Sequence, residues 1–191
     1  VTTEHSLRKG DVLNINCTIY KDDTYGSTSR MFFVGKVSRF TANLCQVAHD
    51  CLWKSIDFIK PGVYFNEVGV LIQQHADDNS YHVMNDHCGY CVNMLEIDSA
   101  DHLLPYGKTL TGDKFATGMI VCIEPKISQG CRFMRFSQNA WTTTSKSKAL
   151  FASWKHTLLV TKTGCEVLTM SGNVSSKSTQ LYQNELSLKV M

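Results

Sequence analysis

Three patterns predict an α+β fold for this chain. Residues 11–20 alternate in polarity and, after a run of turn-forming residues, are followed by a second β-rich run at 30–37. Residues 41–60 repeat apolar side chains at three-and-four spacing, which is one face of a helix. Beyond residue 118 short β-rich segments return, the last two joined by Thr163-Gly164. Helices and strands are mixed, and the hairpins imply antiparallel pairing.

In the first run Val12, Asn14, Asn16, Thr18 and Tyr20 share one face and Leu13, Ile15, Cys17 and Ile19 the other, the pattern of a half-buried strand. Lys21-Asp22-Asp23-Thr24-Tyr25-Gly26 supplies the turn, so residues 16 and 27 approach across a hairpin. Leu44, Val47, Ala48, Cys51, Leu52, Ile56 and Ile59 form the face of the first helix, which Pro61-Gly62 closes. A second helix is predicted from Asn66 to about Ala76 on Val68, Leu71, Ile72, His75 and Ala76. Strands are predicted at 81–84, 118–124, 156–161 and 165–169. Residues 171–191, rich in Ser, Thr, Gln and Asn, read as a disordered tail. Residues 1–170 then form a single domain, the size at which one substantial core can be buried.

Composition excludes some functions. A net charge of +2 with scattered Lys and Arg lacks the stripe that nucleic acid requires, so no nucleic-acid partner is expected. The longest apolar runs are far shorter than the roughly 20 residues of a membrane helix. No membrane partner is expected. The chain opens at Val1 without a charged-then-apolar leader, which reads as a cytoplasmic address. The eight cysteines then read as reduced, mostly packed as small hydrophobes.

Five landmarks carry a resemblance. Asn14-Ile15-Asn16-Cys17-Thr18, Gly26-Ser27-Thr28-Ser29, Cys88-Gly89-Tyr90, Ile123-Glu124-Pro125 and Trp154-Lys155-His156-Thr157 occur in this order. They resemble the frames N-[IV]-D-x-T, G-D-x-S, C-G-H-G, I-E-P and [FY]-E-H-T of type I methionine aminopeptidases. Met31-Phe32-Phe33-Val34-Gly35, Lys60-Pro61-Gly62-Val63, Trp141-Thr142 and the run after His156 add to the likeness. It implies the pita-bread metallopeptidase fold over residues 9–170, the C-terminal two-thirds of the family domain and so incomplete at the N-terminal side. A fold lacking part of one half is expected to expose apolar surface.

The resemblance also implies a site. Family enzymes hold two divalent ions (Co, Mn, Fe or Zn) on two Asp, one His and two Glu, and a metal-activated water attacks the peptide bond after the N-terminal methionine. Carried across residue by residue, the positions are Asn16, Ser27, Tyr90, Glu124 and Lys155, of which Glu124 alone keeps the family ligand. A second family histidine falls on Ile97 or Asp98. An ammonium at a bridging ligand's position sets positive charge where the ions would lie. No metal cofactor is therefore expected, and no confident catalytic residue is assigned. The five residues sum to zero charge, which predicts an internal ion pair of Glu124 with Lys155, hydrogen-bonded to Tyr90, Ser27 and Asn16.

Other candidates weigh less. Trp141 matches a pocket-lining aromatic, read either as a contact to a bound peptide's side chain or as core packing. Cys88 and Cys91 form a lone C-x-x-C, a weak motif. His156 reads as an internal hydrogen-bonding residue and Lys146-Ser147-Lys148 as a solvated loop. The expectation is an inactive, methionine aminopeptidase-like pseudoenzyme binding peptide N-termini or a protein partner. The alternative is a metal-dependent methionine aminopeptidase with a rebuilt site.

Overall fold

Two aspartates set the first turn. The computed structural model describes residues 6–84, 89–91, 102–103, 113–136 and 143–170, with backbone alone at 89–91, 102–103, 136 and 143. Strands β1 (Val12–Lys21) and β2 (Thr24–Phe33) pair along their full length from Lys21 opposite Thr24 to Val12 opposite Phe33. The turn is thus only Asp22-Asp23, shorter than the expected run of six, because both residues adopt positive φ (50° and 57°). Asp tolerates that left-handed region, and a two-residue loop of this kind matches the twist of the strands.

The alternation in β1 is real, but its sense is opposite to that of a strand burying its apolar side. Ile15 and Ile19 are 51% and 62% exposed. The polar face lies inward: Asn14 Nδ2 donates to the Ser153 carbonyl at 2.6 Å, and Thr18 and Ser27 share a hydroxyl bond of 2.9 Å. That inward side is mixed: Val12 and Met31 pack on the core, while Asn14 and Thr18 find polar partners there.

Helix α1 (Arg39–Phe58) buries Leu44, Val47, Ala48, Cys51, Leu52 and Ile56, the predicted face. Each fully buried aliphatic side chain contributes about 1.5–3 kcal/mol. The helix starts at Ser38, whose hydroxyl accepts the Thr41 N–H at 3.1 Å. Ser38→Ala should cost about 1 kcal/mol, read as a drop of about 3 °C in melting temperature; an unchanged melting point would show that the cap is redundant. Pro61 blocks continuation and Gly62 turns at φ 91°. Helix α2 (Phe65–Asp78) begins where the Glu67 carboxylate accepts the Tyr64 N–H, and it buries Val68, Ile72 and Ala76 against α1.

The remaining strands are short. In chain order they are β3 (His82–Val83), β4 (Gly89–Cys91), β5 (His102–Leu103), β6 (Ile120–Ile123), β7 (Lys126–Ser128), β8 (Met134–Phe136), β9 (Thr143–Ser145), β10 (Phe151–Ser153), β11 (His156–Val160) and β12 (Cys165–Val167). Antiparallel sheets of order β12-β11-β6-β4-β5 and β10-β7-β3 result, with β8 and β9 as a separate pair. The core joins α1 and α2 to Val121, Ile123, Ile127, Ala152, Trp154, Leu158 and Val160. Cys45, Cys51 and Cys122 are buried, as small hydrophobes are, whereas Cys17 is exposed on the outward face of β1. Burial pushes the Cys45 thiol up to about 12, far from reactive. Residues 171–191, the expected tail, lie outside the described residues.

Candidate functional site

Two neighbouring strands change sheets at the same level, and the site lies at that step. β6 runs into β7 through Glu124-Pro125, and β10 runs into β11 through Trp154-Lys155. His156 pairs with Ile123 on one side of the step and Ser153 with Lys126 on the other. One register therefore runs through both sheets and sets Lys155 opposite Glu124. Pro125 brings no N–H to a ladder, which suits the interruption between the sheets.

Lys155 is held firmly. Its N–H and C=O bond to Ser29 at 3.2 and 3.1 Å, tying the step to β2. The preceding Trp154 is buried and donates its indole N–H to the Cys45 carbonyl of α1 at 3.1 Å. The Lys155 Nζ lies 3.1 Å from the Glu124 Oε2, with the two side chains 7% and 12% exposed. The Ser153 hydroxyl donates to the other carboxylate oxygen at 3.4 Å.

The other predicted partners are placed differently. Ser27 is buried, but its hydroxyl is shared with Thr18 and its backbone N–H and C=O both bond the Thr157 hydroxyl, at 2.9 and 2.8 Å. Asn16 stands exposed on the hairpin, opposite Ser29. Hydrogen bonds from Ser27 and Asn16 to the pair are thus corrected: Ser153 supplies the bond, and the inward amide is Asn14. For Tyr90 the backbone alone is described, opposite Cys122 in β6. Trp141, Cys88, Ile97 and Asp98 lie outside the described residues. Ser153 and Asn14 carried no signal as site residues; only the register across the step could have found Ser153.

His156, beside Lys155, is buried and neutral. Burial first, then the electrostatic influence of Arg30 and His49, holds its imidazole down at about 4. Thr169 Oγ1 accepts the Thr157 N–H at 3.1 Å and shares a hydrogen bond of 2.9 Å with His156 Nδ1, whose direction is set by the imidazole tautomer. This is a structural hydrogen bond.

The donor set does not fit two divalent ions. One carboxylate is offered where four would be needed, and a lysine ammonium already occupies it. Among the described residues no three His, Cys, Asp or Glu converge. A cleft of about 420 Å³ reaches the pair through Ser153; Val12, Met31, Leu150 and Phe151 line it on one part and Asn14, Thr144, Ser145 and Lys148 on another. Its apolar walls suit an apolar side chain, and Asn14 and Ser153 place polar groups at the end nearest the pair.

The profile of metallopeptidase family M24 matches residues 1–162. A methionine aminopeptidase of Buchnera aphidicola from Acyrthosiphon pisum is 35% identical over 163 residues, 85% of this chain and 61% of the relative. The chain thus spans less than two-thirds of that relative's length. The crystal structure of methionine aminopeptidase from Rickettsia prowazekii superposes with a TM-score of 0.84 at 35% identity, covering 88% of this chain and 68% of the other. Prolidase from Pyrococcus furiosus, at 17% identity and a TM-score of 0.70 over 89% of this chain and 44% of its own, shares the fold alone.

Proposed function

We propose, for a chain that belongs to metallopeptidase family M24 and has its pita-bread fold, that the methionine aminopeptidase-like site no longer hydrolyses peptides and serves as a peptide- or protein-binding module. The observation that carries the reading is the 3.1 Å contact of Lys155 with Glu124. A carboxylate neutralised by an internal ammonium gains nothing from a divalent ion, which would have to displace the cation or lie against it. Without the ions, the charge that activates the attacking water is lost. A fold does not compel an activity, and the scaffold can bind without catalysis.

The cleft that reaches the pair through Ser153 supports a peptide as ligand, with its first side chain between Met31 and Phe151. Nucleic acid is not proposed as a partner, since charge is near balance. Among the described residues no helix is long and apolar enough to cross a membrane. A cytoplasmic site of action remains part of the proposal.

The test is elemental analysis of purified chain after incubation with cobalt, manganese or zinc, together with methionine release from Met-Ala-Ser. The expected result is no stoichiometric metal and no release from a chain that melts cooperatively. About two metals per chain with turnover would overturn the proposal and favour a rebuilt metal site.

A further inference from the structure

We draw no further inference here: the strongest candidate, the cleft between β1 and β10 with the exposed Lys148 on its polar part, belongs to the site already described, and nothing in the structure shows what covers it.

Discussion

Lys155→Met should unfold about 10 °C below the wild-type chain, a loss of about 3–5 kcal/mol. The substitution keeps most of the side-chain volume and removes the ammonium, leaving the Glu124 carboxylate 12% exposed with the Ser153 hydroxyl as its described neighbour. A buried charge without its counterion bears its desolvation cost uncompensated. Glu124→Leu with Lys155→Met should recover most of the loss, because the pair replaced as a unit by apolar groups leaves no charge behind. Chemical denaturation of the two single variants and the double variant measures the coupling. A loss below about 1 kcal/mol for Lys155→Met would mean a solvated pair like those on protein surfaces, and the argument for an occupied ligand position would fall with it.

Acid should destabilise the chain through His156. The unfolded imidazole takes its proton near the usual 6.5, while the folded one, buried and facing Arg30 and His49, takes it at about 4. The folded pKa is depressed, so the stabilisation is complete above pH 6.5 and is lost as pH falls through 4. The full loss is about 3 kcal/mol. His156→Gln should flatten this dependence while keeping a hydrogen-bonding group beside Thr169. Urea unfolding of both chains between pH 7.5 and 4.5 gives the difference, in which His75, also depressed by burial, and the carboxylates cancel. Parallel curves would show that the imidazole does not stay neutral in the folded state.

Both predictions involve residues adjacent in sequence, yet they were legible to different degrees. Lys155 stood out because its landmark frame resembles one that carries a carboxylate, and Glu124 because its own frame is intact. Zero net charge over the five positions predicted that the two would meet, and the register through the sheet step brings them to 3.1 Å. Ser153 was not legible. It lies in a three-residue strand, too short to show a period, and its role depends on the pairing of β10 with β7. The expected bonds from Ser27 and Asn16 failed for a related reason. A shared face of a hairpin says which side chains are neighbours, not what lies beneath them, and Ser27 meets Thr157 before it can reach the pair.

The sequence by itself determined the α+β class, the buried face of α1 and its stop at Pro61-Gly62, and the family, because periodicity, capping chemistry and motif spacing are local and survive in one dimension. Tertiary structure alone decided which face of β1 turns inward. Alternation marks two unlike faces, but only the groups beneath, the Ser153 carbonyl among them, choose between them. It likewise decided that Asp22 and Asp23 form the whole turn and that Ser153 completes the ion pair. The turn is set by the register of β1 on β2, and the other two by contacts between residues 139 and 29 positions apart, for which the chain carries no local signal.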